Sequence, residues 1–205
     1  MTLVNMRGIV RNKMKKYQII YADPPWRYRD SKGNDPKMGG ITYPTMTDQE
    51  IMDLPVSEIA DKNCALFLWA TMPKLKEAIG VIEAWGFRYI TCAFNWVKLN
   101  PSGKGIYSGL GHWVNGNAEL CLFAKKGTPK RLVKNIKQIQ MYPRGRHSAK
   151  PPQIRGEIVK LLGDLPRIEL FARKPDVLIE DPSWKGWDVW GNESESDIEL
   201  KIRKG

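Results

Sequence analysis

The sequence is short of the residues from which metal and disulfide chemistry are built. Its 205 residues include only 3 cysteines and 2 histidines. Cys64, Cys92 and Cys121 stand far apart in apolar runs, and no spacing among them, His112 and His147 matches a metal site. Buried, reduced thiols are the reading for all three. Long apolar runs are lacking too. None approaches the ~18–20 residues that span a bilayer, so no membrane partner is expected. Residues 1–16 are basic but have no apolar core of a signal peptide, which predicts a loose basic arm on a cytoplasmic protein. Acid is scarce in one long stretch. From Phe94 to Lys150 the only acidic residue is Glu119, whereas the end from Asp176 onward is acid-rich. With a net charge of +11, this segregation points to a face that meets a polyanion, nucleic acid first.

What is present is organised around Tyr17-Gln18-Ile19-Ile20-Tyr21-Ala22-Asp23-Pro24-Pro25-Trp26. A strand-forming run ends in an acid, two prolines and a tryptophan. Neither proline has an N–H for a ladder, so the strand stops at about Asp23. The C-terminal ends of such strands are where open α/β sheets place their ligands.

Further along, periodicity predicts alternating elements. Residues 27–46 are rich in Gly and Pro and form a first substrate loop. Thr47-Asp48-Gln49-Glu50 is a capping box for a short helix. Cys64–Ala70 is apolar throughout, as a strand buried on both faces reads. Thr71 is expected to cap a helix whose apolar residues include Leu75, Ala78, Ile79, Ile82 and Trp85, with Gly86 after its end. Phe87–Val97 returns to strand, residues 98–116 form a second Gly-rich loop, and Glu119–Ala124 is another buried strand. Ile139–Tyr142 is a short strand. Pro151 or Pro152 opens a helix that ends at Gly163. Strands follow at Arg167–Ala172 and around Gly186–Trp190, and a polar tail, 194–205, is expected to fray. Alternating strands and helices predict one α/β domain over 1–205, with a mostly parallel twisted sheet covered by helices on both faces.

The tetrapeptide Asp23-Pro24-Pro25-Trp26 suits one kind of chemistry. A planar amine such as adenine N6 is a poor nucleophile, because its lone pair is delocalised into the ring. A carboxylate and a backbone carbonyl that accept its two N–H bonds draw the nitrogen toward tetrahedral geometry. Asp23 and the Pro24 carbonyl are suitable acceptors. Pro24 and Pro25 hold them in place, and Trp26 offers a face for the base.

These residues, with their context, resemble the adenine-N6 methyltransferase family that carries the Asp-Pro-Pro-Trp signature, typified by the catalytic subunit of the messenger-RNA methyladenosine writer. Other matching segments follow in order: Tyr43-Pro44-Thr45-Met46-Thr47, Leu66-Phe67-Leu68-Trp69, Trp96-Val97-Lys98, Gly111-His112-Trp113-Val114-Asn115, Lys150-Pro151, Ile168-Glu169-Leu170-Phe171-Ala172-Arg173 and Gly191-Asn192. Together they cover about residues 17 to 193. The resemblance implies S-adenosylmethionine as methyl donor. It also implies a Rossmann-like methyltransferase sheet with a circularly permuted motif order, the catalytic motif preceding the main cofactor strand. That cofactor has no pyrophosphate, which accommodates the lack of a G-x-G-x-x-G loop.

By the same resemblance, Lys150 pairs with the cofactor carboxylate and Asp23 lies near its ammonium. Phe171, Arg173, Asn192 and Glu193 contact its ribose, methionine and nucleoside parts. Tyr43, with Trp26, falls on the substrate side. His112 and Trp113 either shape the target-base pocket or are a packed tryptophan with a hydrogen-bonded histidine. Arg144, Arg146 and His147 read as phosphate contacts. Two departures stand out. No earlier acidic segment is found to hold the cofactor adenine, and Arg173-Lys174-Pro175-Asp176 differs from relatives that carry a His-Asn pair after the arginine.

The expected function is therefore S-adenosylmethionine-dependent methylation of adenine N6 in nucleic acid, DNA favoured over RNA, by a compact microbial or phage-type enzyme. An RNA substrate, a catalytically silent partner subunit and methylation of cytosine N4 are the alternatives. A homodimer or pairing with a related subunit is also consistent with the resemblance.

Overall fold

The computed structural model describes residues 15–28, 44–109, 111, 113–145, 149–172, 181–191 and 194–200. Its centre is one seven-stranded sheet. The strands are β1 (Tyr17–Ala22), β2 (Ala60–Ala70), β3 (Arg88–Leu99), β4 (Ala118–Lys126), β5 (Ile139–Pro143), β6 (Arg167–Leu170) and β7 (Trp187–Trp190). Their order across the sheet is β5-β3-β4-β2-β1-β6-β7. β1 pairs parallel with both β2 and β6, β6 with β7, and β3 with β5. Only β4 runs against its neighbours, antiparallel to β2 and β3. The sheet is thus mostly parallel, as the alternation of elements predicts.

The chain enters this sheet at an interior position, the fifth of seven. It builds four strands on one side of β1, then returns to place β6 and β7 on the other. The connections leaving β1 and β6 therefore diverge, which opens a crevice between the C-terminal ends of those two strands. Asp23 follows β1 and Phe171 follows β6, so both stand at that crevice. This is the permuted order of a Rossmann-like methyltransferase fold, with the strand of the acidic motif ahead of the strand that leads into Phe171.

Alternation along β1 divides its side chains between two cores. Ile20 and Ala22 face one layer with Leu66, Leu68, Ile168 and Leu170. Helices α1 (Asp48–Met52), α2 (Val56–Ile59) and α3 (Leu75–Ala84) cover that layer with Ile51, Val56, Ile59, Ala78, Val81, Ile82 and the indole of Trp85. Ile19 and Tyr21 face the opposite layer with Phe67, Trp69, Phe94 and Trp96, where α4 (Gln153–Leu162) packs Ile154, Ile158 and Leu162. Each core is continuous because strand side chains alternate with period two while helical ones recur every three or four residues.

Several local expectations are met in detail. Thr47 caps α1 in a capping box with Glu50. Trp85 is the C-cap residue of α3, and Gly86 follows at φ 78° with its N–H on the Glu83 carbonyl. α4 starts after Pro152 and stops at Gly163, φ 95°.

Others are corrected. Thr71 does not cap a helix with its side chain; it precedes a 3-10 turn, Met72–Lys74, and α3 begins only at Leu75. Its hydroxyl instead meets that of Tyr28 at 2.7 Å. β2 begins at Ala60, because Asp61, Lys62 and Asn63 extend it past the apolar run. Nor are residues 194–200 a frayed tail. Asp197 accepts from the Val189 N–H through its side chain, at 2.8 Å, and donates its own N–H to the Val189 carbonyl at 2.9 Å. Leu200 is buried against the first core. A segment that returns its backbone and an apolar side chain to the sheet has reason to stay ordered despite its polar composition.

Candidate active site

Four charges of alternating sign run across the C-terminal edge of the sheet. Lys98, near the end of β3, lies 2.5 Å from Glu119 at the start of β4. Antiparallel pairing of these strands puts the two residues close, since Trp96 stands opposite Glu119. The other Glu119 oxygen is 3.3 Å from the Lys150 Nζ. Lys150 Nζ also donates to Asp23 Oδ2 at 2.7 Å. Three distant stretches of the sequence thereby meet within one hydrogen-bonded row.

The row is sheltered. The Lys150 side chain is 11% exposed, Glu119 15% and Asp23 26%. The Lys150 ammonium also lies 5.5 Å from the centre of the Trp69 ring, and the Lys98 ammonium 5.2 Å from that of Trp96. Burial works against the charge on Glu119, but Lys150 and Lys98 together outweigh it and hold its pKa at about 2. Burial likewise opposes the Lys150 charge, and Asp23 and Glu119 overcome it, raising its pKa above the ordinary lysine value. Opposed charges in a low-dielectric setting fix one another in place.

Asp23 begins a tight turn. Its N–H reaches the Leu170 carbonyl across the crevice at 3.4 Å. The Trp26 N–H closes back onto the Pro24 carbonyl at 2.9 Å. The Pro25 carbonyl accepts from Met46 N–H at 2.9 Å, and Arg27 N–H donates to the Met46 carbonyl at 3.0 Å. The turn is thus clamped by the segment that enters α1. The expectation that Trp26 presents an open face to a base is corrected. Its ring is 5% exposed and sits in the first core. Its Nε1 donates to the Trp69 carbonyl at 3.2 Å. Trp26 is a strut that ties the turn to the end of β2.

Across the crevice, Phe171 has φ 62°. A bulky side chain rarely adopts this left-handed backbone, and such strain collects at functional sites. The conformation turns the chain away from β6 and seats the ring against Trp190, centroids 5.4 Å apart. Gly191 is required beside it: a Cβ there would lie 2.6 Å from the Ala172 carbonyl oxygen. Beneath the crevice, Arg155 of α4 makes a two-pronged pair with Glu169 of β6, at 2.5 and 3.0 Å, and stacks on Trp184.

The structure therefore brings together Asp23, Pro24, Pro25, Trp26, Lys150 and Phe171. Arg144 and Trp113 lie apart from that row. Arg144 is exposed and stacks its guanidinium 4.1 Å over Tyr107, and Trp113 is fully exposed. Tyr43, His112, Arg146, His147, Arg173, Asn192 and Glu193 fall outside the described residues. Lys98 and Glu119 are the site residues that motif reasoning did not single out. The signal was the isolation of Glu119 as the one acid in a long basic stretch. A cavity of about 420 Å³, lined by Phe94, Phe123, Ile136 and Leu161 with Lys125 and Arg131, lies toward the opposite end of the sheet, where β3 starts. It contains none of the charged row.

A permuted, mostly parallel sheet with an acidic turn at its central crevice defines an α/β protein of the Rossmann-like methyltransferase class. Comparison with known proteins narrows this. The MT-A70 family model matches residues 17–193, and the chain belongs to that methyltransferase family. It is similar to the type II methyltransferase M.MunI of a Mycoplasma species, 36% identical over 200 residues, covering 87% of this chain and 78% of that protein. It is also similar to the N(6)-adenosine-methyltransferase catalytic subunit METTL3 of Homo sapiens, 31% identical over 171 residues, and to the MT-A70-like N(6)-adenosine-methyltransferase of Drosophila melanogaster, 30% identical over 182 residues. Those matches cover 82% and 88% of this chain but only 27% and 28% of the two longer proteins.

Proposed function

We propose that this methyltransferase transfers a methyl group from S-adenosylmethionine to N6 of adenine in DNA. The observation that carries the reading is the position of Asp23: at the end of the interior strand β1, on the crevice, 2.7 Å from Lys150.

The residues present fit the amino-acid end of that cofactor. Lys150 has three N–H donors, and Asp23 and Glu119 engage two of them. The third suits a carboxylate. Asp23 offers an acceptor for an ammonium, and Phe171 with Trp190 forms an apolar wall at the end of the crevice. Arg173, Asn192 and Glu193 are proposed as further cofactor contacts on the resemblance alone. When bound, the cofactor supplies a methyl group activated by a positively charged sulfur.

The chain's own part is to position and polarise the amine. The Asp23 carboxylate accepts one N–H of the target nitrogen. The Pro24 carbonyl accepts the other through its second lone pair, its first being used by the Trp26 N–H. Both acceptors are fixed before the base arrives, by the two proline rings, by Met46 and by the Trp26 strut. Preorganised acceptors of this kind lower the barrier without a reorganisation cost at the moment of reaction. Lys150 compensates the negative charge of Asp23, so no strong base is created. The amine becomes acidic once it is alkylated, and water or Asp23 takes its proton.

One observation favours DNA, and two more favour an active enzyme on a nucleic acid. The similarity to M.MunI extends over most of both chains, and type II methyltransferases are a DNA-modifying class. The net charge of +11 suits a polyanion. The family signature is intact, which favours activity over the role of a silent subunit. The RNA reading rests on the similarity to N(6)-adenosine-methyltransferases.

Incubation with methyl-labelled S-adenosylmethionine and matched DNA and RNA oligonucleotides, followed by digestion to nucleosides and mass spectrometry, tests the proposal. N6-methyldeoxyadenosine is the expected product. Label only in N6-methyladenosine would move the substrate to RNA, and label in N4-methyldeoxycytidine would refute the choice of base.

A further inference from the structure

The segment between β3 and β4 rises from the two residues that begin the charged row, Lys98 and Glu119. It is not an open loop. Leu99 bridges Ile106, and Gly109 bridges Gly116 with paired backbone bonds of 3.1 and 3.0 Å. Its base is sealed by Lys98 N–H on the Asn117 carbonyl and Tyr107 N–H on the Lys98 carbonyl, both at 2.8 Å. The neck is narrow. A Cβ on Gly111 would lie 2.4 Å from the Val114 carbonyl oxygen and 2.8 Å from the Gly116 nitrogen, so the two limbs approach as only glycine permits.

Beyond this neck the tip presents apolar side chains to water. Trp113 is 103% exposed and Val114 75%. Trp113 also has φ 68°, a strained conformation for a bulky residue that projects it from the tip. At the root of the same segment, Arg144 bonds its N–H to the Leu99 carbonyl at 3.1 Å and stacks its guanidinium on Tyr107. Two exposed apolar side chains beyond a narrow neck, and an oriented cation at the root of the same segment, therefore rise from the sheet edge that carries Asp23.

We propose that this tip is a wedge that opens duplex DNA, with Trp113 entering the base stack beside the target adenine and Arg144 holding an adjacent phosphate. The inference rests on the DNA reading above. Adenine N6 in a duplex is paired and stacked, and an enzyme that works on it has to extrude the nucleotide. Extrusion leaves a gap in the stack. Apolar wedges on narrow supports fill such gaps in other DNA-deforming proteins, and they recover part of the lost stacking. An indole is as flat as a base and larger than the side chains usually used. Its full exposure, costly in water, gains a purpose only when something covers it.

The test uses amplified DNA of mixed sequence, which carries no methylation, once native and once heat-denatured and rapidly cooled. Methyl transfer to each form is measured for the unaltered protein, Trp113→Gly and Trp113→Phe. Glycine is at ease at φ 68°, so Trp113→Gly should fold, and a thermal melt checks this. The native-to-denatured rate ratio should fall about tenfold or more in Trp113→Gly, because only duplex substrate needs opening. Trp113→Phe, which keeps a flat ring, should restore most of it. An unchanged ratio in Trp113→Gly, whether both rates drop together or neither does, overturns the wedge. Failure of the unaltered protein to methylate either form would instead overturn the DNA reading, and the wedge with it.

Discussion

Glu119 lies where burial alone would neutralise a carboxylate, yet two lysines keep it charged. Its pKa of about 2 stands below an ordinary 4.5, so the folded protein binds this proton less readily than the unfolded chain. The stability this contributes is full above about pH 4.5 and is lost as pH falls toward 2. Urea unfolding across that window should show the unaltered protein losing on the order of 3 kcal/mol more than Glu119→Gln. Parallel losses in the two proteins would remove Glu119 from the charged row. Residues of this kind are hard to find in a sequence. Asp23 announces itself through two prolines and a tryptophan that no ordinary strand end needs. Glu119 lies in no matching segment and Lys98 only closes one, Trp96-Val97-Lys98, with no role attached; they form one row with Lys150 because β4 pairs antiparallel with β3. Trp26 misled in the other direction: an aromatic beside a catalytic acid suggests a stacking face, but its indole N–H found the Trp69 carbonyl and its ring found the core.

Among the elements, α4 and β6 are joined by the buried pair Arg155–Glu169. α4 begins just after Lys150, and β6 ends just before Phe171, so this pair fixes both sides of the crevice. Removing one partner leaves a buried charge without its counterpart. Arg155→Ala should lose about 3–5 kcal/mol of stability by denaturant unfolding, whereas Arg155→Met with Glu169→Leu should recover most of the loss. A loss below about 1 kcal/mol in the single variant would show that water or another group serves Glu169. Most elements were legible because their apolar runs or periods are clean. β1 is a short run of β-branched and aromatic residues, α4 recurs every three or four residues, and both have stops that proline and glycine impose. α2 was not legible. Four residues after Pro55, Val56–Ile59, are too few to show a period. The direction of β4 was hidden as well, since a strand buried on both faces reads the same forwards and backwards.

At the scale of the molecule, charge and topology act together. The switch between β1 and β6 places the crevice, and exposed cations such as Lys104 and Arg144 stand near the edge that carries the charged row. No helix among the described residues is long and apolar enough to cross a membrane. If the surplus of +11 meets phosphates, affinity for duplex DNA should fall steeply with salt, with a log–log slope of roughly −0.9 for each phosphate neutralised. A flat response in a fluorescence titration would assign those charges to solubility alone. The permuted order could be inferred from motif order because the acidic turn precedes every cofactor-like segment. The return of residues 194–200 to the sheet could not, since a polar segment hides two apolar side chains, Ile198 and Leu200, well.

The role proposed for Asp23 is to polarise the amine rather than merely to support the fold. Asp23→Asn keeps the size and one acceptor oxygen but removes the charge and introduces a donor. Methyl transfer to DNA should fall by at least about a hundredfold in that variant, with its thermal midpoint close to that of the unaltered protein. Turnover within a few-fold of normal, by a folded Asp23→Asn protein, would contradict the account.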